Sequence, residues 1–221
     1  MCEEYFLTEK GAHMVEQQRN VFYQPPGIKE LFYKENEILL KHVDKTKRVL
    51  DVGCGLGTHL IFLSKYAGEV VGIDHSDALL KRCVKNIEEL KNAKALKMNA
   101  RKMDFPDNYF DQACCMFNTL GNIADVKLVL SEMQRVVVPG GYVIFSLYNL
   151  QSFPERIEFY RKTGLDDAHV EGTTIRSGES FFSNTYTEEQ IAQFCKEVGL
   201  DVVFHRTHIG YVCEATKVTK K

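Results

Sequence analysis

Two aspartates and three closely spaced glycines have the residue types and spacing of a site for a charged nucleoside. Asp51 precedes a turn in which glycines alternate, at Gly53, Gly55 and Gly57. Glycine tolerates positive φ and carries no Cβ, so a ligand can lie directly against such a turn. Asp74 follows about 20 residues beyond the first glycine, where a carboxylate often holds ribose hydroxyls. The pattern predicts a nucleotide-type pocket.

The choice of nucleotide depends on the glycine spacing and on Asp51. The dinucleotide fingerprint GxGxxG would place its third glycine at position 58, where this chain has Thr58. A carboxylate directed into the turn repels a pyrophosphate, but it can pair with an ammonium group. An acid at the end of each of two strands, together with GxGxG, therefore favours S-adenosylmethionine over NAD.

Strand and helix patterns alternate from Lys47 onward, which predicts a doubly wound, mostly parallel sheet with helices on both faces. Ser76 is a plausible N-cap for a helix over 76–91, and Thr187 with Gln190 forms a capping box for a helix over 187–198. A helix over 125–138 is expected to end before the breaker Pro-Gly-Gly at 139–141, and a strand over 142–147 is expected to follow. Two final strands, 202–208 and 210–216, are expected to pair antiparallel.

The chain divides into three parts by pattern. Residues 1–45 read as a helical cap, and residues 46–221 as the main domain. Within that domain, residues 148–185 read as irregular and are long for a connection, so we expect them to cover a substrate.

With these motifs, the chain from about Lys47 onward resembles the class I S-adenosylmethionine-dependent methyltransferases. The resemblance implies a seven-stranded sheet with one antiparallel strand near the C-terminus. It also implies methyl transfer from S-adenosylmethionine, with S-adenosylhomocysteine as product. We expect in-line transfer to N or O of a small-molecule acceptor. The alternative is a methyltransferase that acts on RNA or protein.

The resemblance also implies which residues bind the cofactor. Asn99 stands where the family usually has an acid that contacts the adenine amino group, and its amide oxygen can still accept that hydrogen bond. The expected cofactor-binding set is Asp51, Gly53, Cys54, Gly55, Gly57, Asp74, His75, Asn99, Ala100, Arg101 and Met116.

Acceptor contacts are less constrained by the sequence. Residues 115–120 resemble the corresponding stretch of glycine and related small-amine N-methyltransferases, which implies that Asn118 touches the acceptor. Those enzymes place an arginine after the fifth strand, where this chain has Tyr148. A glycine-like acceptor is therefore not expected, and Tyr148 could either orient the acceptor or close the pocket. The other candidates are Tyr23 in an aromatic turn, His169 as a base, and Arg176 as a partner for an acidic acceptor.

Composition excludes several other classes. A formal net charge of −2 and a pI near 6.4 give no general attraction to nucleic acid. The seven cysteines are scattered and form no CxxC pair, so neither a zinc site nor a disulfide framework is expected. No membrane span or signal peptide is expected, which predicts a cytoplasmic protein. A non-catalytic binding subunit and an NAD-dependent oxidoreductase remain weaker alternatives, and the oligomeric state is not indicated.

Overall fold

A mixed seven-stranded sheet forms the centre of the protein in this computed structural model, which describes residues 3–21 and 25–218. Its strands are β1 (Arg48–Val52), β2 (Glu69–Asp74), β3 (Ala93–Lys97), β4 (Phe110–Cys115), β5 (Val137–Tyr148), β9 (Leu200–Arg206) and β10 (Gly210–Lys217). Their order is β3-β2-β1-β4-β5-β10-β9. Only β10 runs against its neighbours in this sheet, and the pairs among β1 to β5 are parallel. The predicted fold class is confirmed.

Eight helices accompany the strands within the described residues. They are α1 (Glu3–Phe6), α2 (Glu9–Val21), α3 (Pro26–Leu40), α4 (Thr58–Leu63), α5 (Asp77–Asn86), α6 (Val126–Val136), α7 (Phe153–Lys162) and α8 (Glu188–Glu197). Successive side chains of a strand point to opposite faces of the sheet. In β1, Val49 packs in the core with α3 and α4, and Leu50 packs in the core with α6 and α8. Both side chains are fully buried, so helices cover the sheet on both faces.

Local capping signals in the sequence predict the helix starts correctly. The Ser76 side chain accepts a hydrogen bond from the backbone N–H of Leu79 at the start of α5. Thr187 and Gln190 form the reciprocal capping box at the start of α8. The strand predicted over 142–147 is too short, because β5 begins at Val137 and passes through the Pro-Gly-Gly segment with an irregular register.

The expectation that residues 148–185 are irregular is wrong. They contain α7 and a separate antiparallel sheet of β6 (His169–Glu171), β7 (Thr174–Ser177) and β8 (Phe181–Asn184). Three- and four-residue strands joined at Gly172 and Gly178, both with positive φ, are too short to show a clear alternation. The predicted boundary at residue 45 and the covering role of this insert stay predictions.

Candidate functional site

A pocket opens where β1, β2 and β4 end, at their carboxyl ends. In doubly wound sheets, ligands bind outside this edge. One wall comes from the loops after these strands, and the opposite wall comes from α1, α2, α7 and β8. The first wall is polar and the second is aromatic, so the two ends of the pocket differ in chemistry.

The glycine turn after β1 presents bare backbone to this pocket. Gly53, Gly55 and Gly57 have φ of 73°, 51° and 81°, in the left-handed region that favours glycine. The N–H of Gly53 donates to the carbonyl of Ile73 at 2.8 Å, which ties the turn to β2. A Cβ on Gly55 would meet no atom within 4 Å, whereas one on Gly53 would lie 2.5 Å from the Thr119 methyl carbon. Gly55 therefore offers open space to a ligand.

Asp51 ends β1 with a buried carboxylate that lacks a full set of partners. It is 2% exposed, and Oδ1 accepts a weak hydrogen bond from Cys114 Sγ at 3.7 Å. Oδ2 is buried and has no hydrogen-bond donor among the described residues. Burial raises the pKa of Asp51 to about 7, and the nearby charge of Asp74 adds to the shift. A cationic donor in the pocket would satisfy Oδ2 and favour the ionised form.

Asp74 links the glycine turn to the start of α5. Its Oδ2 accepts from the N–H of Gly55 at 2.9 Å, and its Oδ1 accepts from the N–H of Ser76 at 2.9 Å. Burial raises its pKa, and these two hydrogen bonds act in the opposite direction. Ser76, not Asp74, caps α5. Each carboxylate oxygen keeps a second acceptor position, so Asp74 is able to accept hydrogen bonds from a diol.

The remaining predicted cofactor residues also lie around this end of the pocket. Cys54, His75, Asn99, Ala100, Arg101 and Met116 all line it, whereas Gly57 does not. Gly57 is instead the residue before α4, where a Cβ would lie 2.9 Å from Cys83 Sγ. Asn99 Oδ1 accepts from the N–H of Arg101 at 2.9 Å, so the amide helps to shape the loop after β3.

The structure places Asn118 away from the pocket lining, with its side chain in use elsewhere. Its Nδ2 donates to Ser183 Oγ at 2.9 Å, and its Oδ1 accepts from the N–H of Tyr148 at 3.0 Å. The side chain is fully buried. Asn118 thus joins the end of β4 to β5 and β8, which corrects the expectation that its amide faces an acceptor. Tyr148 does line the pocket, with 2% of its surface exposed.

The other proposed acceptor contacts do not meet at this pocket. His169 and Arg176 pair across β6 and β7, are exposed, and are absent from the pocket lining. Arg176 Nε lies 2.7 Å from Glu171 Oε2, and His169 Nδ1 lies 2.9 Å from the carbonyl oxygen of Asp167. Tyr23 lies outside the described residues. The expectations for His169 and Arg176 are corrected because the register of β6 and β7 directs both side chains to solvent.

The sequence interpretation missed an aromatic wall opposite the glycine turn. Phe6 from α1, Phe159 and Tyr160 from α7, and Phe181 from β8 line the pocket together. The ring centroids of Tyr160 and Phe181 are 5.2 Å apart in an edge-on arrangement, and those of Phe6 and Phe181 are 5.9 Å apart. These rings come from three distant segments, so no local spacing could have linked them.

A fully buried cation lies behind that wall. The guanidinium carbon of Arg156 is 4.3 Å from the ring centroid of Tyr148 and 5.6 Å from that of Tyr160. Arg156 donates to Ser152 Oγ and to the carbonyl of Ser183. No carboxylate lies within ion-pair distance of Arg156 in the part of the chain that the structure describes. The tyrosine rings therefore provide much of its electrostatic compensation.

Two buried ionisable groups near the glycine turn were also missed. Glu35 of α3 is fully buried, and its Oε2 lies 3.7 Å from Nε2 of His59, which lines the pocket. Burial raises the pKa of Glu35 to about 8 and lowers that of His59 to about 4. The end of α3 and the whole of β1 separate Glu35 from the glycine turn. Nothing in its local sequence distinguishes it from a surface glutamate.

Among residues 3–21 and 25–218, no group of three or more His, Cys, Asp or Glu side chains is arranged to hold a metal ion. In the same residues, no helix is both long enough and apolar enough to cross a bilayer.

Comparisons with known proteins agree with this geometry. A family model for a methyltransferase domain matches residues 49–141, which include both aspartates and the glycine turn. An uncharacterised methyltransferase of Schizosaccharomyces pombe is 39% identical over 118 residues, or 48% of this chain and 41% of that protein. A demethylmenaquinone methyltransferase of Geobacillus is 38% identical over 121 residues, or 52% of this chain and 51% of that protein. The chain thus spans about half the length of the curated relatives it matches.

Solved structures match over most of the chain. A SAM-dependent methyltransferase from Aquifex aeolicus superposes with a TM-score of 0.64 at 21% identity, covering 87% of this chain and 94% of that one. A protein from Pyrococcus horikoshii superposes with a TM-score of 0.69 at 20% identity, covering 86% and 90%. At these identities, the superpositions show a shared fold.

Proposed function

Because this chain belongs, by its fold and its central domain, to the class I S-adenosylmethionine-dependent methyltransferases, we propose that it methylates a small molecule. The methyl group passes from S-adenosylmethionine to a nitrogen or oxygen of the acceptor by in-line displacement. The observation that carries this proposal is the buried, unpartnered Oδ2 of Asp51, which lines the pocket beside the open backbone of Gly55.

The residues at the polar end fit this cofactor. Asp51 would hold its ammonium group, Asp74 its ribose hydroxyls, and the bare backbone at Gly55 would permit close approach. When bound, S-adenosylmethionine supplies a methyl group already activated on a sulfonium. The protein's own residues then have to bind and orient the two reactants and exclude water from them, which can lower the barrier by roughly 7–11 kcal/mol.

The aromatic end favours a planar, largely apolar acceptor. Phe6, Phe159, Tyr160 and Phe181 offer ring faces and edges, and ring pairs contribute beyond the area they bury. Among the described lining residues, the only carboxylates are Asp51 and Asp74, both at the cofactor end. An acceptor with a fixed positive charge would therefore find no counter-ion at the aromatic wall.

The buried guanidinium of Arg156 adds to this preference. It occupies one face of the Tyr148 ring, and a cation on one face weakens the attraction of that ring for a second cation. A neutral or anionic aromatic acceptor is compatible with this electrostatic arrangement. The relatives named demethylmenaquinone methyltransferases carry the name of a small-molecule substrate, which supports an acceptor of this size class.

We further propose that residues 1–45 and the insert 148–185 cover the acceptor. Both parts contribute aromatic side chains to the wall, from α1 in the first and from α7 and β8 in the second. A cover made of two segments would exclude water during transfer.

The experiment is transfer of a labelled methyl group to a panel of aromatic alcohols, amines and hydroquinones, followed by identification of the product by mass spectrometry. We expect label in a neutral or phenolic aromatic compound, and no transfer by Asp51→Asn. Asp201→Asn, on an exposed face of β9, serves as the matched control and should retain activity. Label that appears only in added RNA or protein would contradict the proposal.

A further inference from the structure

Next to the pocket wall, two buried polar atoms lie close to each other, and neither makes a hydrogen bond with a described residue. Oε2 of Glu35 and Nε2 of His59 are both buried and without a hydrogen bond, and they lie 3.7 Å apart. An unsatisfied buried polar atom is destabilising, so a small movement that brings the two atoms into hydrogen-bond distance is favoured. Within the described residues, Glu35 Oε2 and His59 Nε2 are each available to the other as a hydrogen-bond partner.

The hydrogen bonds to Glu35 indicate where its proton lies. Oε1 accepts two hydrogen bonds, from the N–H of Phe117 at 2.9 Å and from Ser146 Oγ at 2.5 Å. Both donors converge on the same oxygen, as they would on the carbonyl oxygen of a neutral acid. The other oxygen, Oε2, is then the hydroxyl, and it faces Nε2 of His59 across 3.7 Å. Burial, which raises the pKa of Glu35 to about 8, agrees with this assignment.

This arrangement fixes the tautomer of His59. With the lone pair of Nε2 facing the Glu35 hydroxyl, the neutral imidazole carries its proton on Nδ1. Among the described residues no group bonds to Nδ1, and the ring lines the pocket, so Nδ1 is the ring nitrogen available to a ligand there. Phe32 and Phe117 lie about the ring, with centroids 6.2 Å and 6.1 Å away, and hold it in an apolar setting. His59 therefore presents an N–H donor to the pocket.

The position of Asp51 indicates which group of the ligand this N–H donor would contact. Glu35 lies within electrostatic range of Asp51 and 3.7 Å from His59, and Asp51 and His59 both line the pocket. If Asp51 holds the ammonium of the cofactor's amino-acid group, the carboxylate on the same carbon must lie close by. A negatively charged oxygen is the strongest acceptor available to a neutral N–H donor.

We propose that His59 binds the carboxylate of the cofactor's methionine group through Nδ1–H, and that Glu35, as a neutral acid, positions this donor. This inference rests on the proposed function. In this arrangement, Asp51 binds the ammonium of the cofactor's methionine group and His59 binds its carboxylate.

A role for His59 as the base that deprotonates the acceptor fits the structure less well. Its lone pair is directed at Glu35, away from the pocket, and its N–H is directed into it. Burial also lowers the pKa of the imidazole to about 4, so it is a weak proton acceptor at neutral pH.

Two arginines in the pocket lining could compete for the carboxylate. Arg101 lies 3.6 Å from Asp125 beside the loop after β3, at the side assigned to adenosine. Arg19 of α2 is exposed at the opposite wall. Arg19→Gln is therefore included as the competing variant.

The test compares two ligands that differ only in the carboxylate, by calorimetric titration. The ligands are S-adenosylhomocysteine and its decarboxylated analogue, S-adenosyl-3-thiopropylamine. A hydrogen bond to a charged group contributes about 1.5–3 kcal/mol, so wild type should favour the first ligand by roughly 10- to 100-fold. His59→Leu should lose this preference by weakening only S-adenosylhomocysteine. Arg19→Gln should keep it.

Glu35→Gln distinguishes positioning from a purely structural role. A glutamine amide can accept from Phe117 and Ser146 through its oxygen and donate to His59 Nε2 through its nitrogen. This variant should therefore preserve the ligand preference, whereas Glu35→Leu should reduce it.

The possible outcomes distinguish a failure of this inference from a failure of the proposed methyltransferase function. Wild type that binds both ligands equally, or a preference lost in Arg19→Gln and kept in His59→Leu, overturns the inference and leaves the methyltransferase proposal standing. Wild type that binds neither ligand overturns both. Circular dichroism of each variant checks that it is folded.

Discussion

The two ends of the pocket are built from different kinds of chain. The cofactor end comes from loops directly after β1, β2, β3 and β4, within the matched residues 49–141. It is polar and holds buried carboxyl groups at Asp51 and Asp74. The acceptor end comes from α1, α2, α7 and β8, outside that match, and it consists mainly of aromatic rings.

The difference shows which end of the pocket a short stretch of sequence can specify and which end depends on tertiary packing. A sulfur nucleoside requires a fixed backbone turn and fixed charges, and a short stretch of sequence can specify these. The proposed acceptor end is lined by side chains that meet only after three distant segments fold together.

The largest effect should follow Asp51→Asn. Loss of the charged partner for an ammonium group in a buried site costs about 2–5 kcal/mol, so the Kd for S-adenosylhomocysteine should rise at least roughly 30-fold. The ligand-free variant should be at least as stable as wild type, because burial disfavours the Asp51 carboxylate. Calorimetry and thermal unfolding measure the two effects. Unchanged affinity would remove Asp51 from the cofactor site.

Gly55→Ala should also impair binding, and Gly178→Ala provides a matched control. The two glycines have φ of 51° and 52°, and a Cβ on either would meet no protein atom within 4 Å. Each variant should therefore lose about 1 kcal/mol of stability from backbone strain alone. Only Gly55 lines the pocket, so only its variant should bind S-adenosylhomocysteine more weakly, by roughly tenfold or more. Equal affinities in the two variants would mean that the glycine turn does not contact the ligand.

Phe181→Leu should affect the opposite end. Phe181 is 2% exposed and contacts the rings of Phe6 and Tyr160, so its loss weakens the aromatic wall. We expect the KM for the acceptor identified in the labelling experiment to rise roughly tenfold, because ring contacts contribute about 0.5–1.5 kcal/mol beyond area. The Kd for S-adenosylhomocysteine should stay within about twofold of wild type.

Phe110→Leu is the control for the loss of a buried ring. Phe110 is fully buried in the core on the other face of the sheet, and it does not line the pocket. The Phe110→Leu variant should be less stable than wild type, and its KM for the acceptor should be unchanged. A rise in the Kd for S-adenosylhomocysteine in the Phe181 variant would show that the two ends are not separate.

The smallest effect concerns pH and the ligand-free protein. The folded-state pKa values of Asp51 and Glu35 are raised to about 7 and about 8, so the folded state binds more protons than the unfolded state. Stability therefore falls as pH rises toward those values. His59, with its pKa lowered to about 4, opposes this trend below its unfolded pKa of 6.5. The decline should thus be clearest between pH 6.5 and 8.

Urea unfolding of wild type and Glu35→Gln over this window isolates one group. The difference in unfolding free energy should shift in favour of the glutamine variant by about 1 kcal/mol per pH unit. A constant difference would mean that Glu35 is already ionised in the folded protein.

The residues predicted to bind the cofactor lie mostly around one end of the pocket, because the signals that identify them are local. The methyltransferase resemblance is confirmed by the family match, and the capping residues Ser76 and Thr187 are confirmed by hydrogen bonds of the kind expected. Glycine spacing and caps depend on neighbouring backbone, which is already fixed by the order of residues.

The acceptor end escaped prediction because its geometry depends on tertiary packing. Asn118 carried a plausible resemblance, but the fold uses its amide to attach β8 to the sheet. His169 and Arg176 belong to short strands, and their side chains lie at solvent-facing register positions. Phe181 lines the pocket and Glu35 lies next to the lining residue His59, and no local pattern links their two elements to the glycine turn.

The most direct test of this account is calorimetric titration of the wild-type protein, at neutral pH, with S-adenosylhomocysteine and separately with NADH. We expect a single site for S-adenosylhomocysteine and no measurable heat with NADH. Saturable binding of NADH without binding of S-adenosylhomocysteine would contradict the account, because the pocket would then hold a pyrophosphate beside Asp51.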